Sequence, residues 1–309
     1  MSRSTEGLKS EALRAALHTA LEARGPLPKV SQALEQLLAK HGGLPGLRPN
    51  LKLAAAFGAE IAQADGPVLA LLVQLADDPS APDTPRAFLP VAAAHGLAQR
   101  IRAERDAEDA WPALQRLAAD ERGPVRLGVL DALTQLGARE GFADELVSRT
   151  ETWLDESDRE LCYGATATAL EALSDGRVLA ALRDHDALLA LLTRVLDSVS
   201  DAPRSAQRSD GRRRVLRTLG PSMAAVVAAF RGGQKGVEWF RAECERATDP
   251  ELRAALSDAL QRLADVSNAP ARPVIDELRA AMEKSQKPLR DAARVRPGHG
   301  RGRKSRALR

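Results

Sequence analysis

Apolar residues recur three or four positions apart along most of this chain, the spacing that stacks side chains on one side of a helix. In LAADERGPVRLGVLDALTQLG, residues 117–137, Arg126 serves as an origin: Val125 precedes it, Ala132 and Leu133 follow at six and seven, and Leu136 at ten. ATDPELRAALSDALQRLADV, residues 247–266, repeats the pattern about Arg253, with Leu252 before it and Ala259, Leu260 and Leu263 at the same offsets. A third copy has Tyr163 at the origin, with Cys162, Ala169, Leu170 and Leu173 in the matching places. Each copy predicts a helix that buries one face, including Leu133 and Leu260. Before the first stands a helix carrying Trp111, Leu114 and Leu117, and before the second one that begins with Trp239 and Phe240.

Origins 126 and 253 lie 127 residues apart, three times the roughly 40–47-residue period of helix-pair repeats. A further unit is therefore expected near residue 208. There RSDGRRRVLRTLGPSMAAVVAAF is helical in pattern but offers only Thr218 and Leu219 for the Ala-Leu pair, a degenerate copy. Earlier helices are predicted near 7–24, 28–41, 49–63, 66–77 and 87–104, and a last one over Pro273 to Arg294 with Ile275, Leu278 and Met282 on one face. Gly42-Gly43 closes one helix and Pro49-Asn50 opens another, in keeping with Gly after helices and Pro in first turns. The Pro-rich loop DDPSAPDTPRAF, residues 77–88, divides an N-terminal helical cap (1–78) from a repeat array (86–295), and DAPRSAQRSDG, residues 201–211, interrupts the array.

With that register in place, DERGPVRLGVLDAL resembles the second-helix motif of HEAT repeats, in which an Asp of the turn inside the repeat is followed six residues later by Arg. Asp120 and Arg126 match it. Asp249, Pro250 and Arg253 match its inner half, Ala247 standing where the outer Asp belongs, and the Tyr163 unit has no Arg. The resemblance spans about Trp111 to Val266 and speaks to architecture alone: an all-α fold, an α-solenoid of HEAT-type helix pairs. In that family the Asp and Arg tie successive repeats together, which implies structural roles for Asp120, Arg126, Asp249 and Arg253.

Composition supports helices, with 44% hydrophobic but only 3% aromatic residues and Ala and Leu dominating. No apolar run reaches membrane-spanning length and MSRSTEGLKS lacks a signal core, so a cytoplasmic chain without membrane contact is expected. The net charge of +3 hides an asymmetry: residues 284–309 carry ten Lys or Arg against Asp291, or +9, and the remainder carries 35 bases against 41 acids, or −6. The segment RPGHGRGRKSRALR, residues 296–309, has no apolar periodicity and is expected to be a disordered basic tail.

Catalytic motifs are missing: there is no HExxH, GxSxG, GxGxxG or GxxxxGK[ST]. His18, His41, His95, His185 and His299 include no pair at metal-ligand spacing, so no metal and no cofactor is expected. Asp184-His185-Asp186 reads as a capped helix start. Cys162 and Cys244 read as buried thiols rather than a disulfide or metal framework. Some helical-repeat proteins are DNA glycosylases for alkylated bases, which use tryptophans with a carboxylate near the lesion; Trp111, Trp153 and Asp155 are the residues here that could be placed in such roles, without a residue-by-residue match to those enzymes. Trp111, however, shares an apolar face with Leu114 and Leu117, and the acidic body opposes a broad phosphate groove.

Two basic clusters carry the remaining signal. Arg204, Arg208, Arg212, Arg213, Arg214 and Arg217 lie in or beside the third loop, and Arg301, Arg303, Lys304 and Arg306 in the tail. Guanidinium groups suit anions. The candidate anion or nucleic-acid residues are accordingly Arg212, Arg213, Arg214, Arg217, Arg301, Arg303, Lys304 and Arg306. The expectation is a non-catalytic scaffold that holds a protein partner on its helical surface while the tail makes weak, nonspecific contact with nucleic acid. The alternative is a nucleic-acid-binding array.

Overall fold

The computed structural model describes residues 2–22, 25–230, 234–265 and 272–284, without the side chains of residues 2–10. Among the described residues there are sixteen α-helices and no strand. The chain begins with α1 (Ser2–Glu22), the short α2 (Leu27–Val30) and α3 (Gln32–His41). It continues through α4 (Leu51–Gln63), α5 (Val68–Ala76), α6 (Phe88–Arg102), α7 (Ala107–Ala118), α8 (Gly123–Gly137) and α9 (Phe142–Leu154). Then follow α10 (Arg159–Leu173), the short α11 (Gly176–Ala181), α12 (His185–Ser200), α13 (Asp210–Ala229), α14 (Lys235–Arg246), α15 (Pro250–Asp265) and α16 (Arg272–Lys284).

From α4 onward these helices sort into two layers. In the first, α4, α6, α8, α10, α13 and α15 each pack along the next. In the second, α5, α7, α9, α12, α14 and α16 back them, with α5 on α7, α9 on α12, and α14 on both α12 and α16. The result is an α-solenoid of stacked helix pairs, all α. The segment expected as a separate cap enters the same layers: α4 lies along α6 across the Pro-rich loop, and α3 also reaches α6.

Local chemistry starts the helices where the sequence supplies acceptors. Asn50, Asp158, Asp175, Asp184 and Ser209 each accept a hydrogen bond from a backbone N–H of the first turn of α4, α10, α11, α12 and α13, which satisfies donors no helix can satisfy internally. Asp249 does the same for Glu251 and Leu252 at the start of α15.

First-layer helices approach so closely that side chains would obstruct them. A Cβ on Gly58 of α4 would lie 2.8 Å from the His95 carbonyl oxygen of α6, and one on Gly128 of α8 would lie 2.6 Å from Val91 Cγ1 of α6. Apolar residues fill the seam. Leu133 and Leu260 are buried, as their offsets require, and so are Val125, Ala132, Leu170 and Leu263. Helix α10 is buried continuously from Cys162 to Leu170 because α7, α8, α9 and α13 surround it, so its sequence is small and apolar on every side.

The degenerate copy proves to be in register. Thr218 and Leu219 are both buried, which puts the origin of that unit at Arg212, itself only 3% exposed. Its Nε and Nη2 donate to the Val199 carbonyl at 3.2 Å, and its Nη1 to the Gln207 carbonyl at 3.3 Å and the Glu251 carboxylate at 2.6 Å. In the Tyr163 unit the phenol does comparable work, donating to the Ser198 carbonyl of α12 at 2.8 Å.

His95 sits in the seam, 2% exposed. Its Nε2 lies 3.4 Å from the Asp131 carboxylate at an angle that makes no hydrogen bond. Burial pushes the imidazole from 6.5 down to about 4, against the smaller upward pull of Asp131. The unfolded chain therefore takes up a proton as pH falls below 6.5 and the folded chain only near 4. Stability from this group is complete above pH 6.5 and is lost as pH drops toward 4, by about 3 kcal/mol in all. Urea midpoints measured between pH 7 and 4.5 should decline, and His95→Gln should flatten that part of the slope. At pH 7, Leu133→Ala should destabilise by about 2–5 kcal/mol through weaker packing and the cavity left behind; an unchanged melting temperature would remove the proposed register.

Candidate functional site: an arginine-lined groove

Because α13 begins at Asp210, capped by Ser209, the arginine run RRRVLR belongs to a helix and not to a loop. Successive residues of a helix turn by about 100°, so the run is split among directions. Arg212 points inward and is saturated by Val199, Gln207 and Glu251; it leaves the candidate anion-binding set because no guanidinium edge remains to offer. Arg213 is exposed, within 3.3 Å of the Asp210 carboxylate and bonded to the Arg208 carbonyl. Arg214 and Arg217, three apart and thus on one face, point together toward α10 and α8. Arg204 and Arg208 stay exposed in the loop. Arg301, Arg303, Lys304 and Arg306 lie outside the described residues, as does the end of the expected last helix beyond Lys284.

The face shared by Arg214 and Arg217 forms one wall of a groove of about 720 Å³. Its opposite wall is α8, with Arg126, Leu127 and Leu130, and its floor is α10, with Thr168, Glu171 and Ser174. Leu127 is one of only two large apolar side chains exposed among the described residues, at 37%. Arg126 thus has two roles. Its Nη1 donates to the carbonyls of Asp120, at 2.9 Å, and Glu121, which follow α7. The rest of its guanidinium lines the groove.

Arg214 is half-buried, and its Nη2 donates to Thr168 Oγ1 at 2.8 Å. Thr168 in turn donates to the Ala118 carbonyl at 2.7 Å. Burial first, then the nearby positive charges of Arg126 and Arg217, bring Arg214 down from the ordinary guanidinium value to about 10. Most arginines of the array lie beside carboxylates, as Arg149 does with Glu108, Arg194 with Asp155 and Arg246 with Asp197. Among the described residues, none of Arg126, Arg214 and Arg217 has a carboxylate within ion-pair distance. Glu171 offsets the charge of Arg214 from farther away, more than Glu160 does, and it accepts a bond from Thr218 Oγ1 at 3.2 Å.

The repeat positions resolve differently from the HEAT expectation. Asp120 does not pair with Arg126. Its carboxylate takes Arg122 at 2.7 Å, and Arg122 Nη1 reaches back to the Asp78 and Ser80 carbonyls at 2.8 and 2.9 Å. The tie to the preceding unit is therefore Arg122, a residue the repeat pattern does not single out. Arg253, like Arg126, donates six residues back, to the Ala247 carbonyl at 3.3 Å.

Among the described residues, the lining of the groove brings together no His, Cys or Tyr. Trp111 and Trp153 are buried and meet edge to face 6.2 Å apart in the second layer, away from the groove, with the Trp111 indole N–H on Glu145 at 2.9 Å. Asp155 pairs with Arg194. The candidates for a glycosylase role are thus a packing core and a surface ion pair. Cys162 and Cys244 are buried, and burial raises both thiols, Cys244 to about 12, which leaves them unreactive. Asp184 caps α12 while Asp186 pairs with Lys235 and the His185 ring stacks on Phe230 at 4.0 Å. No group of three or more His, Cys, Asp or Glu among the described residues is placed to hold a metal ion, and no described helix is long and apolar enough to cross a membrane.

No protein-family model and no curated protein matches this chain. Among solved structures it is similar to a designed armadillo repeat protein, at 17% identity over 88% of this chain and 99% of that one, with a TM-score of 0.38. It is also similar to an engineered protein at 18% identity over 81% of this chain and 95% of that one, with a TM-score of 0.35. The solenoid is established by the chain's own two layers of helices.

Trp239, unlike Trp111, is only half-buried; its indole N–H donates to Thr193 at 2.9 Å along the second layer. Acrylamide should therefore quench Trp239 alone of the three, and Trp239→Phe should leave fluorescence almost entirely shielded. Quenching of Trp111 in that variant would place it on an accessible surface and restore the glycosylase reading.

Proposed function

We propose that this chain is a non-catalytic helical-repeat scaffold that holds a protein partner on the first-layer face. The observation that supports the reading is the groove across α8, α10 and α13, where Arg126, Arg214 and Arg217 stand together without ion-paired carboxylates beside exposed Leu127. Charged groups left without counter-charges at a recess favour association with a complementary surface. An exposed leucine beside them supplies apolar contact. The −6 balance of residues 1–283 sets this positive recess apart from the rest of the body.

The basic tail contributes weak, nonspecific contact with anionic polymers. Arg301, Arg303, Lys304 and Arg306 stand among glycines, which suits a charge-only grip without sequence readout. The compartment in which the chain acts is taken to be the cytoplasm.

Affinity purification of the tagged full-length chain, with and without nuclease, tests the scaffold reading. A bound protein should survive nuclease treatment and be lost from Arg217→Glu. If nuclease strips all captured material, and does so equally from a chain lacking residues 296–309, the array is a nucleic-acid-binding surface and the alternative holds. Separately, deleting residues 296–309 removes six cations and should weaken nonspecific duplex binding, with the log–log salt slope shrinking by about 0.9 for each phosphate no longer neutralised. An unchanged slope would assign duplex binding to the helices.

A further inference from the structure

Resting on the scaffold reading, we infer that the groove is a receptor for a short acidic segment of the partner, a carboxylate side chain held by Arg126, Arg214 and Arg217 with an adjacent apolar residue against Leu127 and Pro221. Three features of the recess point to this occupant.

The first is unused donor capacity. Arg214 has only its Nη2 in hydrogen bonds, Arg217 only its Nε, to the Arg213 carbonyl at 3.3 Å, and Arg126 only its Nη1. Each guanidinium therefore keeps further N–H groups toward the recess, in the forked geometry that takes a carboxylate by two bonds. Arg214 is also anchored from behind by Thr168, so its fork is oriented before anything binds.

The second is electrostatic. The positive charges of Arg126 and Arg217 lower the affinity of Arg214 for its proton, which means that the three repel one another in a partly dry recess. An incoming anion relieves that repulsion. With Glu171 on the floor, the balance is three cations to one anion, so the recess keeps a positive charge for the carboxylates of an acidic segment. A run of phosphates would find no longer basic track along the groove among the described residues.

The third is the lining beyond the charges. Leu127, Leu130, Pro221 and Ala225 supply apolar surface, and among the described residues no aromatic side chain lines the groove, so bases would find nothing there to stack on. An alternating acidic and apolar peptide fits both halves of the wall. A recess of about 720 Å³ lies within the range of roughly 300–1,000 Å³ that sites for compact ligands occupy.

Fluorescence anisotropy with the full-length chain tests the inference. The probes are a labelled nine-residue peptide with three glutamates among Leu, Ser and Gly, the same peptide with glutamines, and oligothymidylate. The glutamate peptide should bind about tenfold or more tightly than the glutamine peptide. Arg217→Gln, at an exposed position, should weaken it about tenfold, and Arg214→Gln at least as much. Leu127→Ser should weaken it severalfold while leaving the glutamate preference intact. Replacing Arg301, Arg303, Lys304 and Arg306 together by Gln should leave the Arg217-dependent part unchanged. Equal binding of the two peptides, or loss of binding with the tail substitutions and not with Arg217→Gln, would overturn the inference. If that happens while nuclease-resistant capture of a partner persists, the scaffold reading stands and only the occupant of the groove is wrong. Oligothymidylate binding that outcompetes the glutamate peptide and is lost with Arg217→Gln would overturn both.

Discussion

A helix with one apolar face needs a neighbour to cover it, and in this chain the cover for each first-layer helix is the next helix of the same layer. Gly58 and Gly128 set how close that cover can come, because a single methyl group at either position would collide with α6. Packing along the layer buries Leu133 and Leu260 and covers α10 continuously, and it leaves α10 as the floor of the groove between the walls α8 and α13. Widening one seam would shift the walls relative to the floor and pull Arg214 away from Thr168.

Polar ties act on top of this packing. Arg122 joins Asp120 to the carbonyls of Asp78 and Ser80, and Arg212 joins α12, the following loop and Glu251. Each arginine satisfies carbonyls that end a helix or sit in a turn, where regular backbone bonding gives out. The same residue type does something different at Arg126, Arg214 and Arg217, where part of each guanidinium is anchored and part is left toward the groove. Arginine serves both ends because its fork has more donors than one acceptor can take.

The helical class, the repeat register and most of the core were legible in the sequence, because apolar spacing reports directly on which face of a helix is covered. Even the weak copy at Thr218 and Leu219 lay in register. The groove was legible only in part. Arg214 and Arg217 were marked as basic, but grouping them with Arg212 and Arg213 left the helical period of the run unused; continuing that period back to the Ser209 cap separates the buried arginine from the outward pair. Arg126 was read from the repeat motif as purely structural, and its place in the groove depends on α13 coming alongside α10, which brings together residues nearly ninety positions apart in sequence, from Arg126 to Arg214. Arg122 left no periodic trace, since the partners it reaches in the preceding unit are main-chain carbonyls, which every residue has.

The Arg212 brace bears on how far this array is modular. In a run of interchangeable repeats, one unit can be excised and the flanking ones rejoined, since every interface is alike. Here Arg212 ties Val199 of its own unit to Glu251 of the unit after, and origins 163, 212 and 253 are spaced by 49 and then 41 residues. Removing the α12–α13 unit would take away the Ser198 carbonyl to which the Tyr163 phenol donates and the guanidinium that the Glu251 carboxylate receives. The order of the repeats is thereby encoded in the fold: these units are successive parts of one object, and shuffling them would not yield a shorter or longer version of the same protein.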